Sequence, residues 1–174
     1  MGDPDPTPAR GSGPHDVVLR DAAPSDRDLI LQWRNDQDAV ANSLTGRSVD
    51  PKEHAVWYAK RLARVPLFMW IAEVDGSPVG SVRIDKEGAS GRVAIAVARA
   101  ARGRGLGTTI LRAMLDAVAS RQDAIELRAE VLVSNEASLR AFRKAGFEEA
   151  ATKDRVTEFV WRGGGSEAPE RDPD

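Results

Sequence analysis

Apolar residues between positions 106 and 118 recur every fourth place, as Leu106, Ile110, Met114 and Val118, and Leu111 and Leu115 widen the stripe. That period predicts an amphipathic helix. Just upstream the period drops to two. Val93, Ile95 and Val97 face one side of a strand over Arg92–Ala98, and Ala94, Ala96 and Ala98 face the other, where three small side chains leave room for a close approach. A second alternating run, Ala124–Val133, puts Ile125, Leu127, Ala129, Val131 and Val133 on one face and Glu126, Arg128 and Glu130 on the other. Shorter runs predict strands over Val17–Arg20, Phe68–Val74, Val79–Ile84 and Thr157–Trp161. Asp75-Gly76 signals a hairpin turn, and Lys86–Gly91 reads as a loop.

Helix starts are marked by caps. Asp50-Pro51-Lys52-Glu53 offers an N-cap aspartate, a proline at the first helical position and a glutamate that can reach back, which predicts a helix to about Arg64. Ser25, with Asp28 three residues on, predicts a cap for a helix carrying Leu29, Ile30 and Trp33. A helix over Glu136–Ala145 should end at Gly146. The order of elements is strand, two helices, three strands, helix, strand, helix, strand. That predicts one α/β (α+β) domain built on a single mixed sheet.

Composition adds boundaries. Residues 1–16 and 163–174 are rich in Pro, Gly and acids, too poor in apolar surface to order themselves, so the domain is expected over 17–162. The acids of these two segments account for more than the whole net charge of −2 and leave the intervening chain near +3. A mildly basic domain suits an anionic small ligand and is too weakly charged to argue for nucleic acid. The 174 residues hold no cysteine, no apolar run long enough for a membrane span and no leader-like segment. Disulfides, Cys-ligated metal and a Cys nucleophile drop out. No metal site is expected, and the cytoplasm is the expected compartment.

The chemistry concentrates where the alternating strand meets the long helix, at Arg102-Gly103-Arg104-Gly105-Leu106-Gly107-Thr108. The first turn of a helix has N–H groups without intrahelical partners and the positive end of the dipole. Glycines let the backbone approach a ligand, and two arginines add charge, so this loop predicts a phosphate site. A P-loop needs Gly-Lys-Ser/Thr, whereas Leu106 follows Gly105. The dinucleotide fingerprint needs G-x-G-x-x-G, whereas this loop reads G-x-G-x-G.

The segment resembles the acetyl-CoA motif of the GNAT superfamily, Arg/Gln-x-x-Gly-x-Gly/Ala, matched by Arg102, Gly105 and Gly107. A second segment, Asn135 through Ser138 and Phe142 to Gly146-Phe147, is similar to the family's later helix. The resemblance implies a single domain with a mostly antiparallel sheet of six to seven strands and about four helices. It implies acetyl-CoA as co-substrate, its pantetheine arm along Ile95, Ala96 and Val97. The pyrophosphate would lie on the amides from Gly103 through Thr108, with Asn135 and Phe142 beside the arm. Asn135 is equally read as an N-cap. The implied reaction is attack of an unprotonated amine on a thioester.

The pattern departs from the family at the leaving-group acid, where the usual tyrosine is Phe142; Ser138 or a water is the substitute. The sole tyrosine is Tyr58. Glu130 and His54 are candidate bases, and each is also readable as a surface residue. Trp33-Arg34-Asn35 with Glu53-His54-x-x-Trp57 resembles the branch of ribosomal-protein N-terminal and nucleotide-sugar acetyltransferases. That implies Trp33, Arg34, Asn35, His54 and Trp57 at the acceptor and a UDP-linked 4-amino-dideoxy sugar as the amine, with Arg34 or Arg61 suited to its diphosphate. Either tryptophan alone also reads as core. A protein N-terminus or a small amine is the alternative acceptor, and a non-catalytic acyl-CoA-binding module is the alternative class. A homodimer through a sheet edge is compatible with the sequence, which carries no distinct mark of it.

Overall fold

The computed structural model describes residues 9–11, 16–64, 68–121 and 126–163. Eight strands form one sheet: β1 (Ala9–Gly11), β2 (Val17–Asp21), β3 (Met69–Val74), β4 (Ser77–Glu87), β5 (Ser90–Val97), β6 (Glu126–Leu132), β7 (Glu148–Lys153) and β8 (Val156–Arg162), in the order β1-β2-β3-β4-β5-β6-β8-β7. Five helices flank it: α1 (Arg27–Arg34), α2 (Gln37–Ala41), α3 (Pro51–Leu62), α4 (Leu106–Ser120) and α5 (Glu136–Ala145). All strand pairs are antiparallel except β5 with β6, which α4 connects. A parallel pair needs such a crossover.

The two faces of the sheet carry separate cores. The α4 stripe packs with Trp70, Ala72, Val82, Ile84, Val93, Leu127, Ala129, Val131 and Phe159. On the opposite face Ile30, Trp33 and Tyr58, from α1 and α3, close over Met69 and Ile71. Ala96 and Ala98 pack against this second core. The small face of β5 therefore brings α1 and α3 near the sheet.

The predicted caps hold for α3 and α5. Asp50 accepts the amides of Lys52 (2.8 Å) and Glu53 (3.1 Å), and α5 closes on Gly146 at φ 101°. Asp75 and Gly76 both take positive φ in the expected turn. Ser25, however, caps nothing. A 3-10 turn over Pro24–Asp26 precedes α1, and Asp26 accepts the Ala23 amide at 2.8 Å while Arg20 grips it with two nitrogens at 2.7 and 2.8 Å. The Lys86–Gly91 loop contracts to a tight turn, because β4 and β5 pair as far as Glu87 and Ser90. Strands β1 and β7 and the short helix α2 add to the predicted elements. Ala9–Gly11 pairs with Val17–Leu19 inside a segment read as unordered. Val133 lies in the turn after β6. Residues 1–8, 12–15 (with His15), Ala124, Ile125 and 164–174 lie outside the described residues. Among the described residues, no helix is long and apolar enough to cross a membrane.

Candidate active site

Gly105 is the N-cap of α4, with φ 75° and ψ 3°, and Gly103 has φ 76°. Both lie in the left-handed region that a side chain disfavours. With Arg102 at φ −68° and ψ 160°, Gly103 completes a type II turn ahead of the helix cap. Arg102 N–H is taken by Arg99 O (3.3 Å) and Thr108 N–H by Gly105 O (3.2 Å). Between them the amides of Gly103, Arg104, Gly105, Leu106 and Gly107 have no partner among the described residues. Five consecutive free donors at the positive end of a 15-residue helix make an anion cradle. Thr108, included in the expected set, is outside it. At Gly107 a Cβ would come into van der Waals contact with Ala141 Cβ at 3.4 Å, where α4 meets α5.

The two arginines of the loop behave differently. Arg104 is exposed and has no partner among the described residues, so its charge is open to a ligand. Arg102, by contrast, donates from Nε to Val97 O at 3.1 Å and ion-pairs through Nη1 with Asp36 (2.8 Å) and Asp38 (2.9 Å). Its hydrogen bond holds the Asp36 carboxyl below the usual carboxylate range. The expected free cation at position 102 is thus a fastener between the loop, β5 and α2.

Strands β5 and β6 pair only over Ser90–Arg92 with Glu126–Arg128. Beyond Arg92 they part, and Val93–Val97 turn one unpaired backbone edge toward the gap. At the paired end of this fork, beside the β4–β5 turn, lies a cavity of about 250 Å³ lined by Glu87, Ser90, Arg92, Arg128, Glu130 and Glu158, among others. Glu130 sits in it, 3.6 Å from Arg92 Nη1.

On the face covered by α1 and α3, cations crowd around one acid. Arg61 is buried and ion-paired with Asp85, and Arg83 Nε reaches Asp85 Oδ2 at 3.3 Å. The guanidinium carbons of Arg61 and Arg83 lie 5.7 and 5.2 Å from the centre of the Trp57 ring. Arg34 gives Nη2 to Thr45 Oγ1 at 3.3 Å, while its Nη1 is buried without a partner. Burial, then the charges of Arg61 and Arg34, pull the Arg83 pKa down to about 10. Arg83 escaped the sequence reading because it alternates inside an ordinary strand.

The remaining candidates divide. His54 is 3% exposed, stacked on Tyr58 at 5.8 Å, with neither ring nitrogen partnered; burial, then Arg27, lowers its pKa. It belongs to the core, and its route to a reacting amine is closed. Trp33 is buried and Asn35 ties down the 46–50 segment, donating to Val49 O (2.8 Å) and accepting Val49 N–H (2.7 Å). Both are structural where acceptor contacts were expected. Trp57 is half-buried, between the cations and solvent. Asn135 caps α5 by accepting the Ser138 amide at 3.1 Å. Phe142 is 3% exposed, stacked on Phe159 and edge-on to Phe147, so its ring offers the cleft no surface. Tyr58 donates to Ala23 O at 2.7 Å, and burial, then Asp26, pushes its pKa up to about 12, so the lone tyrosine does not replace it.

A family model described as an acetyltransferase (GNAT) domain matches residues 16–148. An L-amino acid N-acetyltransferase, AaaT, of Escherichia coli (strain K12) is 27% identical over 144 residues, covering 79% of this chain and 86% of its own. The ribosomal-protein-alanine N-acetyltransferase structure from Brucella melitensis is 27% identical with a TM-score of 0.66, covering 83% of this chain and 98% of that one. The acetyltransferase yncA of Salmonella typhimurium, solved with its cofactor acetyl-CoA, has a TM-score of 0.70 at 21% identity, covering 88% and 98%.

Proposed function

The chain belongs to the GNAT acetyltransferase family and is an acetyl-CoA-dependent N-acetyltransferase, and we propose that it acetylates the primary amine of a small acceptor held between Trp57 and the β5–β6 gap. The observation that carries the reading is the run of five unpartnered amides from Gly103 to Gly107. A diphosphate fits such a cradle, and Arg104 adds an open charge beside it. The free edge of β5 over Ile95, Ala96 and Val97 suits an extended arm laid alongside as an added strand.

When bound, acetyl-CoA supplies a thioester carbon to which the amine nitrogen bonds as the C–S bond breaks and coenzyme A leaves as a thiolate. The chain's own work is then positioning, polarisation and proton transfer. An amide of the β5 edge polarises the carbonyl. Glu130, on β6 two residues beyond the last pair with β5, takes the amine proton through water. Ser138, half-buried at the start of α5, is the side chain left near the leaving sulfur now that Phe142 and Tyr58 are committed to the core.

For the acceptor, the amino-sugar nucleotide reading retains Arg34 and Trp57 and loses Trp33 and Asn35, which serve the fold. A protein N-terminus is the second reading, and the name of the Brucella relative favours it. The test is calorimetric titration with coenzyme A, followed by thiol-release assays with acetyl-CoA against amino-sugar nucleotides, peptides and small amines. A chain that fails to bind coenzyme A sinks the enzyme reading. Binding with no turnover on any amine leaves only the acyl-CoA-binding module.

A further inference from the structure

Register places a set of charged residues on one face of the sheet. Arg83 pairs with Ala94, Asp85 with Arg92, and Arg92 with Arg128. Side chains alternate along a strand, so Arg83, Asp85, Ala94, Arg92, Arg128 and Glu130 all point to the side that α1 and α3 cover. Along this face, cations outnumber acids under α3. Arg61 and Arg83 share Asp85 as their acid, Arg61 from a buried position, whereas Arg34 has no acidic partner among the described residues. What remains open is specific. Arg83 spends only Nε on Asp85, and its two terminal nitrogens have no partner among the described residues. Arg34 Nη1 is buried and unsatisfied. An unpartnered buried charged donor is costly and points to a missing acceptor atom.

Resting on the acetyltransferase reading, we propose that Arg83 and Arg34 hold a carboxylate that belongs to the acceptor itself, so that the substrate is a free α-amino acid presented with its amine toward Glu130. The planar guanidinium fork matches a carboxylate. Because Asp85 neutralises one of the three cations, two positive charges remain, and the two oxygens of one carboxylate can meet both guanidinium groups. Arg83 pairs with Ala94, and Glu130 follows by two residues Arg128, the partner of Arg92, so guanidinium and carboxylate flank β5 on the same face. The half-buried Trp57 ring, against Arg61 and Arg83, would border the side chain of the amino acid and select among them.

The test uses the full chain, the twenty L-amino acids, their amides and methyl esters, a short unblocked peptide and phosphoethanolamine. Thiol release from acetyl-CoA gives kcat/KM, and thermal shift in the presence of coenzyme A reports binding without turnover. At least one amino acid should be both bound and acetylated, with its amide and ester down by about tenfold to hundredfold. Arg83→Gln and Arg34→Gln should erase that discrimination by raising KM for the acid. Coenzyme A affinity, read by calorimetry, should stay unchanged. Four results overturn the proposal: esters or peptides turned over as well as acids, phosphoethanolamine preferred to every carboxylate, discrimination that survives Arg83→Gln, or no amino acid raising the melting temperature. Each can occur with coenzyme A binding intact, which separates this proposal from the acetyltransferase reading.

Discussion

Arg102 Nη1 lies 2.8 Å from Asp36 Oδ1, joining the residue that opens the glycine loop to the N-cap of α2, sixty-six positions away in the chain. The same guanidinium holds Val97 O, the last residue of β5. One side chain thus fixes the cofactor loop to the strand before it and to the segment that leads out of α1. We expect Asp36→Asn to weaken coenzyme A binding by about twofold to fivefold, as for a partly exposed ion pair. The effect should shrink as salt is raised. KM for the acceptor should rise too, since α2 loses its anchor. Calorimetry at two ionic strengths checks the first effect and steady-state kinetics the second; unchanged affinity at low salt would show that Arg102 serves only β5.

Gly105 separates conformation from crowding. A Cβ there meets nothing within 4 Å, yet its φ of 75° is one that side chains avoid. A β-branched residue therefore acts on the backbone alone, at a cost of about 1–2 kcal/mol or a flipped amide. Gly105→Val should lower coenzyme A affinity about tenfold or more while the melting temperature moves only a few degrees. A variant that bound coenzyme A normally would disprove the amide cradle.

Much of this fold was legible in periodicity. The stripe from Leu106 to Val118 and the alternation of β5 and β6 are sided because each element has one face in a core. Elements without a buried face were not legible. All six residues of β7 are exposed, so Glu148–Lys153 carries no alternation, and its turn uses Asp154 and Arg155 at positive φ where glycine would have given a signal. The five-residue α2 is too short for a period. In the site, local features were legible, such as the glycine loop, because the relevant amides are consecutive. The Arg34, Arg61 and Arg83 cluster was not, because strand pairing and helix docking assemble it from distant positions. Trp33, Asn35 and Phe142 fit motif positions, yet their contacts are with the fold itself.

Glu130 is the candidate proton acceptor, and its carboxylate shares the cavity with Arg92. Glu130→Gln keeps shape and removes basicity. We expect kcat to fall about 100-fold, coenzyme A affinity to stay constant, and the loss to shrink as pH rises and the amine deprotonates unaided. A rate–pH profile on both proteins decides it; a parallel, pH-independent offset would make Glu130 a mere partner for Arg92.

Phe142 stands where the family's tyrosine would. Restoring the hydroxyl should not restore an acid, because the ring is enclosed by Phe147 and Phe159 at 5.0 and 5.4 Å. Phe142→Tyr would bury a hydroxyl without a partner, at a cost of about 1–3 kcal/mol. We expect a melting temperature lower by several degrees and no gain in kcat. A faster enzyme at unchanged stability would show that this ring does reach the cleft.

His54 gives the chain an acid-sensitive core. Its folded pKa lies below its ordinary value of 6.5, chiefly through burial, with Arg27 and Arg83 opposing protonation and Asp28 favouring it. The unfolded chain therefore takes up this proton at higher pH than the folded one. The stability contribution of neutral His54 is complete above about pH 6.5 and declines below it, by at most about 1.4 kcal/mol per pH unit. His54→Leu removes the titration and also two buried nitrogens without partners. The variant should match or exceed the parent in stability at pH 7.5, and the gap should widen in its favour between pH 6.5 and 5. Other groups whose folded pKa is lowered, Asp26 among them, titrate alike in both proteins and cancel in the difference. Denaturant melts at a series of pH values measure that difference directly. Curves that stay parallel from pH 7.5 to 5 would mean that the folded protein protonates His54 as readily as the unfolded one, and that the ring is open to water.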